Sequence, residues 1–291
     1  MRNTPYTSII DCSKRILEIG PLANPLIPKA NGPFIFYADI RSTEDIKQFY
    51  ANDPNVDCSA IEDVDFVIID TYEESLKKNK IDKFDYVLGS HVIEHIPLLL
   101  RFFLDISTVL KDNGKLCLSI PDHRYCFDHF RTPTSFSEAY DVYLHGANRL
   151  APRILDFFMN TSHNNPSKYW NTKNDTENVA LLLNKTFEEA KKNYERALSG
   201  EYIDVHFSVF TTFSFLHILF DTIRANMLPF RVEGVFPTLP NTFEFHVILS
   251  KHNAMLHNER IRHRELQKII VIMNRIMHFE AKARASISPC D

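Results

Sequence analysis

The chain has 291 residues, 44% of them apolar, enough to bury a full core as one large domain or as a core with an appended element. Its formal net charge is −4 and no long basic block interrupts residues 1–250, which argues against nucleic acid as a substrate. The five cysteines (Cys12, Cys58, Cys117, Cys126 and Cys290) form no CxxC pair, so neither a disulfide framework nor a zinc knuckle is expected, and a reducing cytoplasm fits. Residues 1–10 lack the apolar core of a signal segment, and no window offers the roughly 18 apolar residues of a membrane span.

In chain order, RILEIG reads as a buried strand closing on Glu18 and Gly20, followed by a loop and a short helix. FIFYADI is a second strand, ending at Asp39. STEDIKQFYAN is a helix with Ser42 as N-cap and Glu44 and Asp45 in its first turn, where the helix dipole favours acids. VDFVIID is a third strand closing on Asp70, EESLKKN a helix, and FDYVLGS a fourth strand ending at Ser90. HVIEHIPLLLRFFLDISTVLK predicts one long helix in which His91 and His95 share a face, closed by Lys111 to Gly114 with Gly114 in the left-handed position. KLCLSIP is the fifth strand. Strands alternating with helices imply right-handed crossovers and an open parallel sheet covered on both faces.

Residues from about 132 to 205 are mostly helical in pattern and predict a cap inserted over the C-terminal strand edge, shaping the pocket of a second substrate. After it come a helix and two strand-like runs, FRVEGVFPTL and FEFHVILSK, separated by Pro240-Asn241, so the sheet should end in an antiparallel hairpin. Residues 252–291 predict an amphipathic helix carrying Leu266, Ile269, Ile270, Met273, Ile276 and Met277 at three- and four-residue spacing. Three readings stand for this stripe: packing on its own domain, docking of a partner protein or a second copy, or attachment to an anionic membrane surface.

The strand ends carry the chemistry. A glycine-poor first turn offers few backbone amides to a pyrophosphate, while an acid about twenty positions later can accept two ribose hydroxyl protons. S-adenosylmethionine is a ligand of this kind. Transfer of its methyl group to a hydroxyl needs a nearby base, for which a neutral histidine or a carboxylate serves. PDHRYCFDHFR, directly after the fifth strand, supplies Asp122, His123, Arg124, Asp128, His129 and Arg131; His91, His95 and His206 are further candidates. Arg124 and Arg131 could grip an anionic acceptor or pair with Asp122 and Asp128. No tight ligand spacing demands a metal, although Asp122, Asp128 and His129 would supply suitable donors.

With LEIGPLANPLIPK, FYADIRSTEDIKQFYANDPNVD, FDYVLGSHVIEHIP, LKDNGKLCLSIPDHRYCFDHFRTPT, YIDVHFSVFTTFSF and EFHVILSK in view, the chain resembles class I S-adenosylmethionine-dependent methyltransferases, and more narrowly the bacterial type found with glycan-biosynthesis enzymes. The SHVIEHI and IPDHRYCFDHFR blocks are specific in combination. Of the glycines in the superfamily's first motif only Gly20 remains. The resemblance implies a Rossmann-like, doubly wound, mostly parallel seven-stranded α/β sheet with an antiparallel final hairpin. It implies a methyltransferase domain over 1–251, with the cap inserted, and a helical extension over 252–291. It places Glu18, Gly20, Pro21, Asp39, Asp70, Ser90 and His91 at the cofactor. It leaves His123, His91 and His206 as catalytic candidates and Asp122, Arg124, Tyr125, Asp128 and Arg131 at the acceptor. The implied activity is O-methylation of a saccharide or nucleotide-linked sugar in surface-glycan (lipopolysaccharide) biosynthesis. The protein would be cytoplasmic or peripheral to the inner membrane, with a glycosyltransferase or a second copy docked on the last helix. The alternatives are a methyltransferase acting on a small metabolite, lipid or carboxylate, and a non-catalytic protein that recruits a glycosyltransferase.

Overall fold

The computed structural model describes residues 2–170, 181–182 and 185–287; part of the cap's polar segment and Cys290 lie outside them. Seven strands, β1 (Ile16–Ile19), β2 (Ile35–Asp39), β3 (Phe66–Val67), β4 (Phe84–Ser90), β5 (Leu110–Pro121), β6 (Phe230–Phe236) and β7 (Glu244–Lys251), form one sheet in the order β3-β2-β1-β4-β5-β7-β6. The first five are parallel, and β7 runs antiparallel to both β5 and β6, as the two runs flanking Pro240-Asn241 predict. The helices are α1 (Thr43–Phe49), α2 (Tyr72–Asn79), α3 (Leu99–Val109), α4 (Phe136–His145), α5 (Ala151–Asn160), α6 (Pro166–Trp170), α7 (Phe187–Leu198), α8 (Thr212–Arg224), α9 (Ala254–His257) and α10 (Glu259–Ile287). Helices α4 to α7 fall in the segment expected to form the cap.

Side chains alternate across the sheet, so each strand serves two cores. Leu17, Val87, Leu116, Leu118, Val247 and Leu249 join residues of α2, α3, α8 and α10 in the main core. Ile16, Leu88, Cys117 and Ile248 point the other way and are covered by Tyr6, Ile10, Leu26 and Ile27. The connection from β1 to β2 contains only a 3-10 turn, Lys29–Asn31, so this face is closed by coil and the N-terminal segment rather than by a crossover helix.

Two local expectations are corrected. The long helix expected from His91 onward is split into a 3-10 turn (Ile93–His95) and α3, because Pro97 lacks an N–H and disfavours helical geometry in the residue before it. The left-handed residue after α3 is Asn113 (φ 62°), inside the first part of β5, rather than Gly114. Glycine at 114 answers a close approach instead: a Cβ there would lie 2.9 Å from the Lys111 carbonyl oxygen and 3.1 Å from that of Phe84.

On α10, Leu266, Ile269, Met273 and Ile276 are buried in the main core, whereas Ile270 and Met277 are each 47% exposed. Glu265 of this helix is buried and accepts a hydrogen bond from the Val232 N–H at 2.8 Å. Four of the six stripe residues are therefore spent on the chain's own domain.

Candidate active site

The C-terminal ends of β1, β2 and β4 lie side by side, with Ile19 paired to both Ala38 and Gly89. Gly20 leaves β1 at φ +58°, a left-handed conformation that glycine adopts without strain. A Cβ at this position would meet Val92 Cγ2 at 3.5 Å and Asp39 Oδ2 at 3.9 Å, so Gly20, Asp39 and the turn after β4 border one cleft. Asp39 accepts the Arg41 N–H through Oδ1, and burial lifts its pKa against the lowering effect of the backbone hydrogen bonds. Pro21 follows Gly20 in the turn; Asp70 is exposed just ahead of α2; Ser90 Oγ accepts from Arg2 Nη1 at 3.3 Å.

Glu18 takes a different part from the rest of the turn. Its buried carboxylate accepts the Leu26 and Ile27 N–H groups at 2.6 and 3.0 Å, fastening the coil that replaces a crossover helix. Burial pushes its pKa up to about 7, against the opposing effect of those two hydrogen bonds. Between about pH 4.5, where the unfolded side chain titrates, and about 7, the folded state keeps a proton that the unfolded state has released. Stability of the cofactor-free chain should fall through this window by roughly 1.4 kcal/mol per pH unit and level off above it. Urea unfolding of wild type and Glu18→Gln across the window checks this: the variant should gain on wild type as pH rises, and parallel curves would refute the assignment.

His91 follows β4 with φ 54°, a conformation that costs a non-glycine residue on the order of 1–3 kcal/mol. Its N–H is held by the Ser119 carbonyl at 3.0 Å, and its Nε2 lies 2.8 Å from Glu244 Oε2 on β7. Burial opposes a charge on this ring, but the Glu244 hydrogen bond and the Glu94 charge outweigh it and hold the pKa above the usual imidazole range. With His91 left-handed and only one 3-10 turn following, His91 and His95 do not share a helix face as the sequence suggested: His95 Nδ1 pairs instead with Asp204 Oδ1 at 2.9 Å. His206, from the segment before α8, places Nδ1 2.5 Å from Asp128 Oδ2 and sets its ring edge-on to that of His95, centroids 4.6 Å apart.

The PDHRYCFDHFR block is largely engaged with itself and the cap. Asp122 is fully buried and accepts from Arg124 and from Thr238 Oγ1, while Arg124 also bonds both oxygens of Glu280 on α10. Arg131 is buried, with Nη1 on Asp128 (2.7 Å), Nε on Asp156 (2.8 Å) and Nη2 on the Arg153 carbonyl. Both guanidinium groups have every nitrogen engaged, so the grip on an anionic acceptor expected of them gives way to internal pairing. Tyr125 stacks on Trp170 at 3.9 Å. His129 Nδ1 bonds the Arg124 carbonyl, so Asp122, Asp128 and His129 turn to three different partners rather than to one ion. His123 is 9% exposed, and among the described residues its Nδ1 is buried without a hydrogen-bond partner; burial lowers its pKa. A cavity of ≈ 490 Å³ opens within the cap, lined in part by Pro97, Thr134, Glu138, Arg153, Phe207 and Ser208.

Glu94, Glu244 and Asp204 were not singled out by the sequence. The signal for Glu94 was an acid next to a histidine at a strand end; nothing local marked the other two.

A family profile described as "Methyltransferase domain" matches residues 8–171. The chain belongs to this methyltransferase-domain family. The matched part of the methyltransferase domain runs from the N-terminal segment through β5 into the cap, and so includes Gly20, Asp39, His91 and Glu94. Among solved structures, the chain is similar to the mitomycin 7-O-methyltransferase MmcR, with 13% identity over 85% of this chain and 50% of that one, and a TM-score of 0.37. It is similar to an S-adenosylmethionine-dependent methyltransferase from Mesorhizobium loti, with 12% identity, 84% and 94% coverage and a TM-score of 0.39. A third, from Methanosarcina mazei, shows 13% identity, 87% and 99% coverage and a TM-score of 0.40. The chain thus spans about half the length of MmcR. No curated protein sequence matches it.

Proposed function

We propose that this chain is an S-adenosylmethionine-dependent O-methyltransferase whose acceptor is a saccharide or nucleotide-linked sugar of surface-glycan assembly. S-adenosylmethionine is the methyl donor. The observation that carries the reading is the cleft shared by Gly20 and Asp39, closed at the next strand end by Val92 and bordered there by the His91–Glu244 pair. Asp39 would accept the ribose hydroxyls. When bound, S-adenosylmethionine would supply an electrophilic methyl group to an acceptor hydroxyl, its sulfur keeping the electron pair of the broken S–C bond. His91, in its neutral form, would take the hydroxyl proton as the acceptor attacks, and Glu244 would stabilise the imidazolium so formed. Thr132, Thr134, Asp141, Arg149 and Ser208 line the cavity together with the mutually paired Glu138 and Arg153, which supports a polar acceptor. The glycan class itself rests on the SHVIEHI and IPDHRYCFDHFR resemblance.

In this reading the enzyme works in the cytoplasm; among the described residues no helix is long and apolar enough to cross a membrane. The exposed Ile270, Val271 and Met277 on α10 are what a glycosyltransferase, a second copy or the inner-membrane surface would meet.

Calorimetry with S-adenosylmethionine and S-adenosylhomocysteine tests the donor, and absence of heat at millimolar ligand would sink the enzymatic reading. Asp39→Ala should weaken binding roughly 10–100-fold, the worth of one hydrogen bond to a charged group at about 1.5–3 kcal/mol. An unchanged dissociation constant would remove Asp39 from the ribose.

A further inference from the structure

Glu94 is 0% exposed, and among the described residues neither of its carboxylate oxygens has a hydrogen-bond partner. His91 Nδ1 stands 3.6 Å from Oε1, outside hydrogen-bond reach. A buried carboxylate left this way costs several kcal/mol unless something else compensates it. The two rings beside it are both prepared in the same manner. His95 and His206 each turn Nδ1 to a carboxylate, Asp204 and Asp128 respectively, which fixes the proton on that nitrogen and leaves the Nε2 lone pair outward. Asp128 is in turn held by the buried Arg131. One ligating atom from each of Glu94, His95 and His206 falls within 4.8 Å of the others.

We propose that Glu94, His95 and His206 form a binding site for a divalent first-row transition ion, of the zinc, cobalt or manganese class. Two imidazole nitrogens and one carboxylate oxygen suit these borderline ions better than magnesium or calcium, which favour all-oxygen sets. Donors on an ion bound at about 2.1 Å lie about 3–3.5 Å apart, so loading draws the three side chains slightly inward. Three protein ligands leave coordination positions open, the arrangement of a catalytic rather than a structural site. The site also lies next to the cofactor cleft: Val92, two residues before Glu94, is the side chain that a Cβ on Gly20 would touch. Resting on the methyltransferase reading, the ion would bind the acceptor hydroxyl and lower its pKa, so that its proton leaves readily for His91. Asp128 and Asp204 are then positioning residues, each orienting one of the two imidazole ligands through its Nδ1 proton.

The test uses the full chain, stripped with EDTA and titrated with ZnCl₂ by calorimetry and with CoCl₂ by visible absorption. Wild type should bind one ion per chain, develop Co²⁺ d–d bands with nitrogen ligation, and melt at a higher temperature when loaded. Glu94→Gln and His206→Asn should each weaken binding by at least about tenfold, since loss of even an outer partner of a metal ligand costs roughly 10–100-fold. S-adenosylhomocysteine binding, measured on the same samples, should stay unchanged in Glu94→Gln, which also shows that the variant is folded. Cofactor binding without any uptake of zinc, cobalt or manganese by wild type overturns the metal site alone, and so does equal uptake by Glu94→Gln. Metal uptake without cofactor binding sustains the site and overturns the methyltransferase reading.

Discussion

Replacing His91 by asparagine should lower turnover roughly 10²–10⁴-fold at saturating S-adenosylmethionine, the usual contribution of a positioned general base, with the cofactor dissociation constant little changed. Asparagine is the informative substitution because it tolerates the left-handed backbone at φ 54°, so the loss would report the imidazole and not the fold. The expectation rests on three features that meet at one residue: its place at the end of β4 beside the Gly20–Asp39 cleft, the 2.8 Å contact with Glu244, and a strained backbone held by the Ser119 carbonyl. Glu244→Gln should give a smaller loss in the same parameter, since it keeps the ring in place while withdrawing the charge that stabilises the imidazolium. Single-turnover rates with donor in excess separate the chemical step from product release. Turnover within about threefold of wild type would remove His91 from the proton path.

Arg131→Met should destabilise the fold by about 3–5 kcal/mol, the cost of leaving a buried charge without its partner. Asp128 is 1% exposed and would lose its contact to Nη1, while Asp156 would lose Nε. Methionine roughly fills the space, so the effect is electrostatic. Arg131→Lys keeps the charge but not the planar fork that reaches both carboxylates, and should recover only part of the loss. Urea midpoints at constant slope measure both variants. A shift under about 1 kcal/mol for the methionine variant would mean that Asp128 is neutralised by other means.

The parallel sheet was legible because each strand is a short apolar run closing on a polar or turn residue, and β6 and β7 were legible because a short Pro240-Asn241 connection allows only an antiparallel return. That Gly20 and Asp39 lie at neighbouring strand ends could be read from the same pattern. What could not be read was pairing over long sequence separation. Arg124 and Arg131 look the same in sequence as anion-binding arginines; Glu280 and Asp156, which occupy them, lie 156 and 25 residues away. Glu244, which meets His91 across 153 residues, carries no local mark as a site residue. The helix from His91 failed for a local reason, Pro97, that was visible but was outweighed by the apolar periodicity beyond it.

The bond from Arg124 to Glu280 joins the end of β5 to the far part of α10. Asp122, beneath it, is already shared with Thr238. A chain cut short before Glu280 would leave Arg124 paired with Asp122 alone and its Nη1 without an acceptor. The last turns of α10 act as a second counter-anion, and their removal would take this cluster from two carboxylates around one guanidinium to one of each and untie the helix end from β5.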